Sequence, residues 1–204
     1  MLNTPSKTKA EPTWEIATLF PNQGQWHESE YLAMETTRQI EFANGYLEVL
    51  PIPTQRHQLL LLFLFGALNN FVRPCTLGTV LVAAMRVKLW AGKYREPDVM
   101  FMLAEHDDRR TDRYWDRADL VMEIVSGSAD DRARDLVLKR QEYAQAGIPE
   151  YWIIDPQMKQ ITVLTLDNEV YTEHGVFAEG EQATSVLLPG FSVDVAATFD
   201  AANQ

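Results

Sequence analysis

The sequence predicts a single α/β (α+β) domain in which a mixed central sheet is flanked by helices and followed by a C-terminal β-hairpin. Three observations lead there. Residues 97–103 (PDVMFML) and 119–125 (DLVMEIV) are short, nearly continuous apolar runs, the pattern of central strands buried on both faces. Longer helix-forming stretches stand before and after them. The dipeptides Asn44-Gly45 and Asp167-Asn168 interrupt β-rich segments as hairpin turns do. A sheet with helices on its faces is the economical way to bury all of these.

Taken in order, residues 27–35 read as a short helix and residues 39–50 as a strand pair turned at Asn44-Gly45, stopped by Pro51 and Pro53. Thr54 then precedes a long apolar helix that reaches Phe71 and is ended by Pro74. Its strongly apolar part, residues 59–68, stops at Asn69-Asn70 after roughly three turns, well short of the ~20 residues of a membrane span, so it is expected in the core. Residues 79–90 (TVLVAAMRVKLW) are β-rich, with Arg86 and Lys88 alternating with Val87 and Leu89 as on a half-exposed strand. The two buried strands follow, separated by a charged loop at residues 105–116. Residues 128–146 form a helix with a capping box in Ser128 and Asp131, terminated by Gly147. Residues 150–154 are the next strand, residues 161–166 and 169–174 the final hairpin, and a small element after Leu187-Leu188 completes the chain.

With 46% hydrophobic and 23% charged residues, 204 residues suit one globular domain, expected over residues 26–199, with residues 1–25 as a disordered or extended lead-in and 200–204 as a tail. The first residues carry lysines without a following apolar core, unlike a secretory signal. The single Cys75 excludes an internal disulfide and a Cys-only metal site, which points to a reducing, cytoplasmic setting. A net charge of −11, from 18 basic and 29 acidic residues, argues against a broad electropositive surface. Two arginine clusters, Arg109, Arg110, Arg113 and Arg117, then Arg132, Arg134 and Arg140, leave room for a local basic rim; the second reads equally as a solvated helix face paired with Asp130, Asp131 and Asp135.

Glu123 interrupts the apolar strand Leu120, Val121, Met122, Ile124, Val125, and Asp98 opens the preceding one. An ionised acid in such surroundings needs a cation or hydrogen-bond donors. By period two, Asp98 falls with Met100 and Met102, and Glu123 with Val121 and Val125, so both can share one sheet face. Two converging carboxylates repel, and a hard divalent cation such as magnesium relieves the conflict while keeping waters for chemistry. Lys139 lies in the following helix on a stripe with Asp135, Leu136 and Tyr143, placed to lean over that edge and to stabilise developing negative charge. Residue by residue, plainer explanations also hold: Asp98 as a turn or cap residue, Glu123 as an edge position, Lys139 with Asp135 as an ordinary i,i+4 pair. His27, His57, His106 and His174 show no zinc-ligand spacing with one another or with Cys75.

Together, Pro97-Asp98 and Glu123-Ile124-Val125 resemble the Pro-Asp…(Asp/Glu)-x-Lys motif of the PD-(D/E)XK nuclease superfamily, with Val125 where the motif has Lys. The strings REPDV (95–99), DLVMEIVS (119–126) and RDLVLKRQEYAQAGIPEYWIID (134–155) are similar to the Uma-two family of restriction endonucleases, over about residues 28–199. The resemblance implies a restriction-endonuclease-like fold, magnesium (or manganese) on Asp98 and Glu123 with the backbone carbonyl of Ile124 as third ligand, and Lys139 in place of the missing strand lysine. It implies for Glu41 a supporting role toward metal or water, with an exposed hairpin charge as the alternative. For His57 it implies a capping or hydrogen-bonding role, and for Tyr143, Tyr151 and Trp152 chiefly core packing. The expected activity is hydrolysis of DNA phosphodiester bonds, by a homodimer if both strands are cut. Two rivals are a catalytically degenerate nuclease fold serving as a binding or assembly module, and a metal-dependent hydrolase of small phosphorylated substrates, which the acidic charge suits better than long DNA.

Overall fold

Two main sheets share the chain in the computed structural model, which describes residues 20–36, 38–126 and 132–203. In chain order, α1 (Glu28–Ala33) precedes the hairpin of β1 (Ile40–Ala43) and β2 (Tyr46–Val49), and α2 (Gln55–Val72) leads into β3 (Gly78–Val82), β4 (Arg86–Trp90), β5 (Lys93–Arg95) and β6 (Val99–Leu103). A 3₁₀ segment (Ala104–Arg109), β7 (Tyr114–Asp116) and β8 (Leu120–Ile124) follow, then a π-helical turn (Arg134–Leu138) running into α3 (Lys139–Gln145). The chain continues through β9 (Glu150–Asp155), β10 (Gln160–Asp167), β11 (Val170–Ala178), β12 (Gln182–Thr184), β13 (Ser192–Asp194) and α4 (Val195–Ala201). The expected capping pair Ser128 and Asp131, and residues 1–19 of the expected lead-in, lie outside the described residues.

The six-stranded sheet has the order β11-β10-β9-β8-β6-β3 and is mixed: β8 and β9 run parallel, and the other neighbours antiparallel. A parallel pair needs a crossover, which the π-turn and α3 supply. Each face has its own core. On one side Leu60, Leu64 and Leu68 of α2 pack with Val99, Phe101, Leu120 and Met122; on the other, Tyr143 and Ala144 of α3 pack with Met100, Met102, Val121 and Val125. Strict alternation along β6 and β8 therefore sorts their side chains between two buried layers, which is why these strands read as unbroken apolar runs.

The second sheet, β2-β1-β5-β4-β7, corrects the sequence reading in two places. Residues 79–90 are not one strand: β3 pairs with β6 in the large sheet, the chain turns at 83–85, and β4 pairs with β5 and β7 in the small one. The charged stretch 105–116 is not wholly a loop, since its end is β7, held by parallel pairing to β4. Neither β5 (Lys-Tyr-Arg) nor β7 has strand-forming periodicity of its own; partner hydrogen bonds hold them extended.

Where local chemistry is decisive the expected devices are present. Asn44 and Gly45 take φ of 50° and 86°, the left-handed pair of a two-residue hairpin, and a Cβ on Gly45 would stand 2.6 Å from the carbonyl oxygen of Gly24. At Gly78 a Cβ would stand 2.0 Å from the carbonyl oxygen of Met102, so only glycine lets β3 approach β6 there. Thr54 caps α2 by accepting the His57 backbone N–H at 3.2 Å. Among the described residues no helix is long and apolar enough to cross a membrane.

Glu150, 1% exposed at the start of β9, fastens the C-terminal segment to the sheet. Its carboxylate accepts from Trp152 Nε1 (2.7 Å), Ser185 Oγ (2.7 Å), Val186 N (2.7 Å) and Leu187 N (2.8 Å). Removing it strands four donors, so Glu150→Ala is expected to cost about 3 kcal/mol or more, read as a lower urea midpoint at unchanged slope. Glu179→Ala, which breaks only an exposed pair with Lys159, should cost less than about 1 kcal/mol.

Candidate active site

The register of β6 and β8 sets the geometry. Val99 stands opposite Met122 and Met100 opposite Val121, so one further step brings Asp98 opposite Glu123. Directly opposed residues of an antiparallel pair share a face, and Met100 and Val121 belong to the α3 side, where Glu123 meets Lys139 and Tyr143; Asp98, one residue outside the strand, contacts His57 of α2. Asp98 sits just before the first residue of β6 rather than within it, and its Oδ2 accepts the Ile124 backbone N–H at 2.7 Å. Asp98 Oδ1 is 3.2 Å from His57 Nε2. Glu123, 3% exposed, accepts from the Tyr143 hydroxyl at 2.5 Å through Oε1 and lies 2.8 Å from Lys139 Nζ through Oε2.

Lys139 enters at the junction of the π-turn with α3. A π-turn shifts the register of side chains along a helix and recurs at functional sites. Here Asp135, Lys139 and Tyr143 face one spot: Lys139 Nζ is 3.4 Å from Asp135 Oδ1 and 3.8 Å from Glu41 Oε1, besides its contact with Glu123. Glu41, on β1, is 1% exposed, so the exposed-hairpin alternative for this residue is corrected. Arg95 on β5 pairs with the other oxygen of Glu41 and forks onto Glu142 of α3 at 2.7 and 3.0 Å, and Lys93 reaches Glu142 at 2.6 Å. Charged side chains from both sheets and α3 thus form one buried network.

Burial and neighbouring charge set the protonation states. Burial, helped by Asp98 and Asp135 and opposed by Lys139, pushes the Glu123 carboxyl up to about 8. Burial would favour neutral Lys139, but Glu123, Glu41 and Asp135 outweigh it and hold the ammonium charged. Glu41 goes the other way, because Lys139 and Arg95 overcome its burial and keep it ionised. His57 is raised, its burial outweighed by Asp98. Glu96, two residues before Asp98, is pushed up to about 8 by burial and by Glu41. It lies 3.6 Å from Arg86 Nε, and among the described residues its Oε2 has no hydrogen-bond partner.

Asp98, Glu123, Ile124, Lys139, Asp135 and Glu96 all line a cavity of about 360 Å³, while Glu41 stands behind Lys139. Of the residues the sequence singles out, Asp98, Glu123 and Lys139 are therefore brought together, and Glu41 supports them at one remove. Among the described residues no three His, Cys, Asp or Glu side chains converge to hold a metal. The donors that the resemblance names, the two carboxylates and the Ile124 carbonyl, are all hard oxygens, a set that suits magnesium or manganese rather than a softer ion. Tyr143, read chiefly as core, is both buried and hydrogen-bonded to Glu123. The sequence reading missed Arg95, Glu96 and Glu142. Their signal was contiguity, since Arg95 and Glu96 adjoin the Pro97-Asp98 motif and Glu142 is one turn beyond Lys139.

The arginine clusters are largely engaged internally. Arg110 pairs with Asp107 at 2.5 Å, Arg109 lies 3.7 Å from Asp119, Arg132 forks onto Asp155 at 2.6 and 3.1 Å, Arg134 reaches Glu48 and Asp135, and Arg140 donates to the Tyr171 carbonyl.

A family model described as "Putative restriction endonuclease" matches residues 27–196. The fold is similar to the crystal structure of "a putative nuclease belonging to DUF820" from Anabaena variabilis ATCC 29413, with a TM-score of 0.70 and 17% identity over 89% of this chain and 99% of that one. No curated protein matches the chain.

Between about pH 4.5, where an ordinary glutamate titrates, and about 8, folded Glu123 and Glu96 retain protons that the unfolded chain releases. The folded state then binds more protons, so stability falls as pH rises through that window. Glu96→Gln removes one of the two groups, and its urea midpoint is expected to fall less steeply from pH 5 to pH 8 than that of the wild type. Parallel profiles would show that Glu96 does not titrate there.

Proposed function

The chain belongs to the Uma2 family, and from that membership we propose that it is a nuclease that hydrolyses DNA phosphodiester bonds with magnesium, or manganese in its place, on Asp98, Glu123 and the Ile124 carbonyl. One observation carries this reading: two opposed carboxylates at the wall of a cavity, with a buried ammonium 2.8 Å from one of them. When bound, the cation supplies Lewis-acid stabilisation and a water of lowered pKa.

The chain's own residues do the rest. The Ile124 N–H fixes Asp98, and the Tyr143 hydroxyl and Lys139 fix the two oxygens of Glu123. Glu41 and Asp135 keep Lys139 charged at the cavity wall, where its positive charge would stabilise an anionic phosphoryl oxygen. Arg95, itself held by Glu142, fixes Glu41, so the ammonium is preorganised and does not wait for substrate. Cutting both strands of a duplex calls for two such sites, hence a homodimer. DNA as substrate and the single Cys75 suit the cytoplasm.

The net charge of −11 and the internally paired arginines favour a second reading, a small phosphorylated substrate. Added salt separates the two: affinity for DNA falls steeply between ~50 and ~200 mM salt, and affinity for a small substrate much less.

Calorimetry with magnesium and manganese, paired with plasmid nicking, tests the main reading. The wild type is expected to bind metal and nick. In Glu123→Gln metal affinity should fall by more than the ~10–100-fold typical of an outer-shell change, and nicking should vanish. A wild type that binds no metal would overturn the catalytic reading in favour of a binding or assembly module.

A further inference from the structure

The cavity at Asp98 and Glu123, lined by acids and cations alike, has a neighbour of different chemistry. A second cavity, about 230 Å³, shares Gln39, residues 50–53, His57 and Asp98 with the first. Asp98 is its one carboxylate among the described residues, and Asp98 stands on the shared wall. The remaining surface is apolar, from Leu61, Ala83 and Ala84, or neutral and polar, from Gln39 and Gln58, with Arg38 adding one cation that can meet a neighbouring phosphate. The two glutamine amides engage no other described residue, so their donors and acceptors are open to a ligand. At the mouth Ile52 is 70% exposed between Pro51 and Pro53, whose fixed φ angles hold an apolar side chain out in water.

We infer that this second cavity receives the nucleobase next to the phosphodiester group held at Asp98 and Glu123, and that the substrate is DNA with an unpaired or extruded nucleotide at the cut. The inference rests on the nuclease reading. The volume lies below the ~300–1,000 Å³ of pockets for drug-sized ligands and suits one heterocycle rather than a whole nucleotide. Apolar walls accept the faces of a planar ring, and free amides meet the hydrogen-bonding edge that an unstacked base exposes. The shared wall at Asp98 makes the base site continuous with the phosphate site, as a nucleotide requires. A base inside a duplex is stacked and paired and reaches such a recess only by leaving the helix. Surrounding phosphates need no basic face if one or two nucleotides are held this way, which reconciles a net charge of −11 with a nucleic-acid substrate.

Titration calorimetry on the full chain with magnesium present tests this, using deoxyadenosine 5′-monophosphate against 2-deoxyribose 5-phosphate. The nucleotide is expected to bind at least roughly tenfold tighter, the scale of one base stacked on protein. Gln58 lines only the second cavity and is exposed on α2, so Gln58→Trp fills that space without touching the acidic site. In that variant the preference should disappear while sugar-phosphate affinity stays unchanged. Gln58→Ala, which keeps the space and removes the amide, should retain part of it. Equal affinities in the wild type, no binding of either compound, or a preference that survives Gln58→Trp would overturn the base site. Metal binding and plasmid nicking judge the nuclease reading separately, so a protein that nicks without preferring the nucleotide refutes this inference alone.

Discussion

Asp98 and Glu123 face one another across the end of the β6–β8 pair where little water reaches them, and two carboxylates so placed repel. The Ile124 N–H and His57 attend to Asp98, and Lys139 and Tyr143 to Glu123. Lys139 then needs Glu41 and Asp135, Glu41 needs Arg95, and Arg95 needs Glu142. Each buried charge is tolerable only because the next is present.

That chain of pairings also joins the architecture. Glu41 and Arg95 lie on the small sheet, Glu123 on the large one, and Lys139 and Glu142 on the helix that crosses between parallel strands. Removing a single partner leaves an uncompensated ion in the interior, the costly way to break such a network. The expense falls where a nuclease of this type would need rigid donors, whereas the Glu150 cluster does comparable fastening through neutral donors, among the described residues without a salt bridge.

Net charge and site chemistry point in different directions until the arginines are followed to their partners. Most are engaged with nearby acids or carbonyls, so they do not build a phosphate-binding face of the kind long duplexes select. The cationic character that counts is local: Lys139, Arg56 and Arg134 line the first cavity and Arg38 the second, while Arg95 is buried beside Glu41.

By itself the sequence determined the local elements and the acids. Its turn dipeptide at Asn44-Gly45, the cap at Thr54, and the alternation that sorts the side chains of β6 and β8 between two cores are all encoded within a few residues, and so legible. The family is legible too, through contiguous strings. The division of residues 79–90 between two sheets, the strands β5 and β7, and the burial of Glu41 were decided only by tertiary structure. Periodicity records which side of an element meets apolar surroundings, whereas a charged residue is buried or exposed according to whether a partner arrives from elsewhere. Arg95 meets partners 54 residues before it and 47 after it, and no local pattern can carry that information.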